Sequence, residues 1–420
     1  MRESSREDAS KPAASGELTV VHNAAEVVVG PDDETGVVVS EDAAFAAVDG
    51  TIVAVGPTDD VLAEYPLHDA TTTIDASGKT VLPGFVDPHT HALFAGDRSD
   101  EFVSKLQGTT YEEILAAGGG ILRTVDAVRE ASDDELVSNL SAHLDAMLAH
   151  GTTTVEVKTG YGLDTETELR MLDAIDRASE GHPVDVVPTF MGAHAVPRGM
   201  DADEYVEEVV SEQLPAVAEQ GVAEFCDVFC ERGVFTADQS RRILAAGREF
   251  GLTPKIHADE FAAIGGTAVA AEVEAVSADH LLATDDDGRE TLVDAGVTPV
   301  MLPGTAFGLG AEYADARAFL DTGHEVALAT DFNPNCFTRS MGFVATLASV
   351  GMRMTPHEAI RGITSAAATA LGRTDGTGTL SSGSPADAVV LDVPNATHLS
   401  YRFDTNPVET VLKAGVVVHE

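Results

Sequence analysis

The chain has 420 residues, of which 44% are hydrophobic, and carries 70 acidic against 25 basic side chains for a net charge of −45. That length holds one large domain with a small companion, and the apolar fraction belongs to a globular protein, not a disordered one. The acidic excess leaves no basic stripe to neutralise phosphates, which excludes nucleic acid as a partner.

Acid runs such as Asp32-Asp33-Glu34, Asp133-Asp134-Glu135 and Asp285-Asp286-Asp287 spread the charge along the chain, and only six of the basic residues are Lys. Self-repulsion of this size is relieved by salt, so the pattern is that of a protein adapted to a salty cytosol. Cys226, Cys230 and Cys336 are too few for a disulfide framework and lack the further soft ligands of a zinc site, so they read as buried reduced thiols. The first residues are polar and no run approaches a membrane span. A soluble, cytoplasmic protein without a membrane partner is expected.

Residues 1–16 read as a flexible charged tail. Between 17 and 78 the pattern is one of short strands, at 18–21, 26–29, 37–39, 44–48 and 51–55, the last two flanking the hairpin signal Asp49-Gly50. The same style returns over 378–420, with strands at 388–392 and through 411–418, turning at Gly415. Two β-rich ends around a different middle predict one small β-sandwich built from both termini.

The middle, 79–377, alternates apolar strands with amphipathic helices. Strands are expected at 79–86, 154–158, 185–190, 224–229, 253–257, 275–280, 298–302 and 326–331, with helices at 166–178, 203–219, 237–250 and 267–274. Eight strands in this alternation predict an α/β fold, a parallel (β/α)8 barrel of the TIM type. Its chemistry belongs at the C-terminal strand ends, and the polar candidates fall there.

The stretch Leu82-Pro83-Gly84-Phe85-Val86-Asp87-Pro88-His89-Thr90-His91 reads as a buried strand that stops and presents two imidazoles. Side chains two apart on extended backbone share a face, so His89 and His91 can clamp one metal ion. His257 ends the fifth strand and Asp331 the eighth, completing a ligand set that suits Zn2+ and equally Fe2+. Such a metal brings the pKa of a bound water to about 7. His280 ends the sixth strand, either as a further ligand or, as favoured here, as a group orienting the attacking water or the substrate oxygen. Glu260, three residues past His257, faces the same pocket and can carry a proton to a leaving nitrogen. Lys158 ends the second strand and no lysine ends the fourth, so one metal ion is expected and not a lysine-bridged pair. Gly118-Gly119-Gly120 lacks a following Gly-Lys-Ser/Thr and reads as a loop near the pocket, not a phosphate cradle.

The segment from Pro83 to His91, together with Gly383-Ser384-Pro385-Ala386-Asp387 before a late strand, resembles the amidohydrolase superfamily. Further stretches are similar to the branch that opens an imidazolone ring. They are His91-Ala92-Leu93-Phe94-Ala95-Gly96-Asp97-Arg98, Lys158-Thr159-Gly160-Tyr161-Gly162-Leu163, Phe190-Met191-Gly192-Ala193-His194, Lys255-Ile256-His257-Ala258-Asp259-Glu260 and Thr330-Asp331-Phe332-Asn333-Pro334-Asn335. The similarity runs from about residue 18 to the C-terminus.

The resemblance implies hydrolysis of the ring C–N amide bond of 4-imidazolone-5-propanoate to N-formimidoyl-L-glutamate in histidine degradation, by a homodimer. It places His89, His91, His257 and Asp331 on the metal, Arg98, Tyr161, His194 and Glu260 on the substrate, and Asn333 at the product-like end. Many members have Gly and a small hydroxyl residue after the Asn-Pro pair. Here Asn335 and Cys336 stand at those substrate positions, so a backbone contact is expected to survive at Asn335 while a thiol replaces the hydroxyl.

The residue chemistry agrees. A guanidinium binds a carboxylate through two parallel hydrogen bonds, and Arg98 is one of few cations near the proposed pocket of a small anionic substrate. Tyr161 and His194 add neutral donors. The expected chemistry is attack of the activated water on the ring carbonyl, with Asp331 accepting the water proton and Glu260 protonating the departing nitrogen. A nucleobase deaminase of the cytosine or guanine type would share the metal set but has no use for Arg98. A non-catalytic metal-binding barrel would have no use for Glu260.

Overall fold

The computed structural model describes residues 16–109, 113–114 and 118–420; the predicted tail, Gly16 apart, lies outside them. β1 (Leu18–Asp32), β2 (Gly36–Val48) and β3 (Thr51–Pro57) form an antiparallel meander. Asp49 and Gly50 join the last two with φ of 48° and 78°, the positive values that a tight two-residue hairpin demands. β4 (Thr72–Asp75) and β5 (Thr80–Pro83) run parallel to β1. Period-two alternation sends Val21, Val27, Ala43, Phe45 and Ile52 into one apolar cluster. The opposite face, with Leu18, Val20, Ala44 and Ala46, packs on Val61 of the helix Thr58–Glu64.

The apolar run predicted as one strand at 79–86 divides at Gly84. β5 stays with the terminal sheet, while β6 (Phe85–Asp87) opens the barrel. A Cβ at Gly84 would stand 2.2 Å from Thr153 Oγ1, so the close step between the two sheets needs glycine.

The barrel continues through β7 (Thr152–Lys158), β8 (Asp185–Ala193), β9 (Phe225–Cys230), β10 (Thr253–Ala258), β11 (Ser277–His280), β12 (Thr298–Met301) and β13 (Ala327–Leu328). All pair in parallel in sequence order. Amphipathic helices cover the outside at Thr165–Ser179, Ala237–Glu249 and Gly266–Glu272. The helix expected at 203–219 is present but widens into a π turn at Val209–Gln213. Pro215 explains the defect, having no N–H to return to the carbonyl of Ser211.

The barrel seam closes beyond the ends of β6 and β13. Asp331 N donates to His89 O at 3.1 Å and His91 N to Phe332 O at 3.0 Å, while Thr330 donates its N–H and hydroxyl to the buried Asp87 carboxylate. The closure therefore fixes His89, His91 and Asp331 side by side. His280 and Asp331 both have positive φ, 82° and 51°, local strain at the strand ends that bear the candidate residues.

The chain's other end completes the first sheet. β14 (Ala388–Leu391), β15 (Val408–Lys413) and β16 (Val416–His419) form a meander whose first strand pairs antiparallel with β5. The two termini thus share one eight-stranded sheet, with Ala388, Val390 and Leu412 in the cluster of Val21 and Phe45. All three cysteines are free and buried. Among the described residues no helix is long and apolar enough to cross a membrane.

Candidate active site

Four side chains meet at the C-terminal mouth of the barrel. Asp331 Oδ1 lies 3.6 Å from His89 Nε2 and 3.7 Å from His91 Nε2, and His257 Nε2 lies 3.3 Å from His91 Nε2. Ligands about 2.1 Å from a tetrahedral metal are separated by roughly 3.4 Å, so the cluster has the dimensions of a coordination shell. His280 belongs to the same group, its ligand atom within 4.8 Å of those of His89 and His257.

The far ring nitrogens are tied to carboxylates. His89 Nδ1 is 2.6 Å from Asp279 Oδ2, and His257 Nδ1 is 3.1 Å from Asp227 Oδ1. These partners set the tautomers and aim Nε2 at the cluster. His89 Nε2 is fully buried yet has no hydrogen-bond partner among the described residues, a lone pair left for a cation. Burial, then neighbouring positive groups, hold His89, His91 and His280 well below the usual histidine range, so they stay neutral and ligand-competent.

Sequence reasoning did not find Asp227, Asp279, Glu156 or Lys255, which support this layer from inside the barrel. Lys158, expected only at a strand end, is the hub. Its Nζ is 2.7 Å from both Asp227 Oδ2 and Glu156 Oε2, and 3.9 Å from Asp279. Burial pulls the Lys158 pKa down, but the three carboxylates outweigh it and the net shift is upward. Lys255 donates to Pro88 O at 3.0 Å and lies 3.9 Å from Asp279. The signal available was an acid or lysine inside an otherwise apolar strand, as in Phe225-Cys226-Asp227-Val228-Phe229-Cys230.

Above the cluster lies a cavity of about 120 Å³ lined by His91, Arg98, Tyr161, His194, His257, Glu260, His280, Asp331, Asn333 and Asn335. Nearly every predicted position is therefore brought together, with His89 directly beneath. Glu260 Oε2 is 3.9 Å from His280 Nε2. Burial first, then Asp331 and Glu231, push the Glu260 carboxyl well above its ordinary range, so it carries a proton. Glu231 also fixes the loop that follows, accepting N–H from Phe261 at 2.9 Å and Ala262 at 3.2 Å. Burial raises Asp331 to about 6, and burial lowers His194 to about 3. Glu168 accepts from the backbone N–H of Gly160, Gly162 and Leu163, which sets the turn that carries Tyr161.

One expectation is corrected. Cys336 does not line the cavity, because its thiol turns to Thr330 O at 3.5 Å while its N–H goes to Asn333 Oδ1. Asn333 is itself the organiser of this loop, donating to Asp331 O at 2.7 Å. Arg98 is buried, but not bare. Its Nε and one terminal nitrogen are 2.9 and 2.8 Å from Glu101 Oε2. The glycine stretch also reaches this pair, with Gly120 N donating to Glu101 Oε1 at 3.0 Å.

A metal-binding (β/α)8 barrel with this constellation defines a hydrolase of cyclic or terminal amide-like bonds, and the chain belongs to the amidohydrolase family, whose model matches residues 80–418. The site takes a divalent metal ion. The chain is 64% identical over 400 residues to a Haloarcula marismortui protein named imidazolonepropionase, covering 95% of each. To the imidazolonepropionase of Geobacillus kaustophilus it is 52% identical over 373 residues, covering 88% of each. Among solved structures, an adenosine deaminase from Xanthomonas campestris with bound zinc superimposes with a TM-score of 0.70 at 17% identity, covering 96% of this chain and 92% of that one, a likeness of fold.

Proposed function

We propose that this chain opens the ring of 4-imidazolone-5-propanoate by hydrolysing its C–N amide bond to give N-formimidoyl-L-glutamate, the reaction that the name of its relatives denotes. The observation that carries the reading is one cavity in which Glu260 and the metal-binding cluster share the wall with a buried arginine. A nucleobase deaminase needs the first two and leaves Arg98 without a role.

His89, His91, His257 and Asp331 hold the metal. A divalent ion held there would supply an acidified water and a Lewis acid for the ring carbonyl. Arg98 takes the propionate, with Tyr161 and His194 as neutral donors and Asn333 and Asn335 closing that end. Asp331 accepts the proton of the attacking water as the new C–O bond forms. His280, neutral and beside Glu260, orients the carbonyl oxygen. As the C–N bond breaks, its electron pair goes to the ring nitrogen, which Glu260 protonates. Zn2+ and Fe2+ both suit three imidazoles and one carboxylate, and the protein is read as a cytoplasmic homodimer.

The test is loss of imidazolonepropionate absorbance with purified, metal-loaded protein in concentrated potassium chloride, with cytosine and guanine in parallel. Ring opening with formimidoylglutamate formed is expected. Ammonia released from a nucleobase, with the imidazolone untouched, would overturn the assignment.

A further inference from the structure

Arg98 is not the sole cation at its end of the cavity. The helix Ser99–Leu106 that follows it returns Lys105 to the same place, with Nζ 2.5 Å from Asn335 Oδ1. Burial and then the adjacent Arg98 charge lower the Lys105 pKa, so the two cations converge here. With 25 basic side chains against 70 acidic ones, such a pairing is an expenditure of scarce charge.

An ammonium group can donate but not accept. It therefore holds the amide oxygen of Asn335 and turns the NH2 group the other way. The backbone N–H of Asn335 is already committed to Asn333 Oδ1 at 2.7 Å. Asn335 lines the cavity together with Arg98, so the two amide N–H donors are what it has left to offer a ligand. Arg98 is partly engaged by Glu101. A carboxylate, with about four lone-pair sites, has room for both.

We propose that Lys105 is a positioning residue for the substrate carboxylate: it fixes the Asn335 amide so that its donors join Arg98 in holding the propionate. The inference rests on the functional reading above and extends it. It assigns Lys105 to affinity and not to bond breaking, because the relay ends on the propionate while Glu260 and the metal ligands act on the ring.

The experiment uses metal-loaded full-length enzyme and compares Lys105→Met, Lys105→Arg and Asn335→Asp. Lys105→Met should raise KM by ~10-fold, the worth of one charge-assisted hydrogen bond, with kcat within about twofold of the parent. Lys105→Arg should recover most of the loss, since guanidinium also only donates. Asn335→Asp should raise KM at least as far, because a carboxylate paired with Lys105 has no N–H left to donate to the substrate. A parent enzyme that opens the ring while Lys105→Met keeps its KM refutes the relay alone. A parent enzyme that fails to open the ring refutes the functional reading and the relay with it.

Discussion

Asp279→Asn separates a ligand-orienting carboxylate from a merely buried one. Asp279 Oδ2 stands 2.6 Å from His89 Nδ1 with both side chains fully buried, and Oδ1 accepts the Ser277 hydroxyl at 2.6 Å. Asparagine keeps the volume. Its amide oxygen can still serve His89 while its NH2 donates to the Ser277 oxygen, so the packing survives. What goes is the charge, and with it about half the strength of the bond. Lys158 and Lys255, each 3.9 Å from Oδ2, also lose a counter-ion. Carboxylates behind metal-bound histidines are worth ~10–100-fold in metal affinity, about 1.4–2.7 kcal/mol at 1.36 kcal/mol per decade. Because the hydrogen bond itself persists, the expected loss lies near the ~10-fold end of that range. The assay titrates metal-free protein with Zn2+ or Co2+ against a competing chelator, with far-UV circular dichroism to confirm the fold. An affinity within about twofold of the parent, in a folded variant, would refute the claim that Asp279 sets up His89.

Glu260→Gln should lower kcat by ~10²–10⁴-fold while metal content stays at the parent level by atomic emission; undiminished turnover removes Glu260 from the proton path. Arg98→Ala should raise KM by ~10–100-fold with a smaller change in kcat, and an unchanged KM counts against the propionate clamp. Glu231→Gln should move the alkaline limb of the kcat–pH profile to lower pH. The sign follows from Glu260 acting protonated: activity falls as pH rises through its pKa, and the Glu231 charge is one of the groups raising that pKa. A limb that stays put or moves upward contradicts this coupling.

The barrel was readable because most strands are apolar runs that stop at a polar residue, and because His89 and His91 sit two apart after such a run. The break at Gly84 was not. The run from Val81 to Val86 carries no polar side chain, and its two halves differ only in their partners, β1 and β14 on one side and β7 on the other. Hydropathy carries no record of that choice. Asp227 and Asp279 were hidden for a related reason. Each is one acid in a chain rich in them, and its meaning depends on Lys158 of β7 and on histidines of other strands. The sequence does not show which of the acids near Arg98, Asp97, Asp100 or Glu101, it pairs with. The structure pairs it with Glu101, three residues on at the start of a helix that the strand–helix reading had passed over.

The buried charges explain why metal and proton sites occur together. Glu156, Asp227, Asp279 and Asp331 face Lys158 and Lys255, all six buried, so four carboxylates meet two ammonium groups. Uncompensated charge in a barrel interior is expensive; burial also raises the nearby Asp87 carboxyl to about 7, and a divalent cation relieves part of the remaining excess. Protons are the alternative remedy for two of these acids, burial raising Asp279 and bringing Asp331 to about 6, whereas His257 and Lys158 outweigh burial at Asp227 and hold it well below its ordinary range. Metal and protons therefore compete for one deficit, which links cation binding to pH and to the stability of the barrel. Glu260 stands at the rim of this balance, paired with no lysine or arginine among the described residues. Burial first, and then the charges of Asp331 and Glu231, oppose its ionisation and push its pKa well above the ordinary range. Asp331, which helps draw a cation to the histidines, is thus also one of the groups that, after burial, favour the protonated acid needed at the leaving nitrogen.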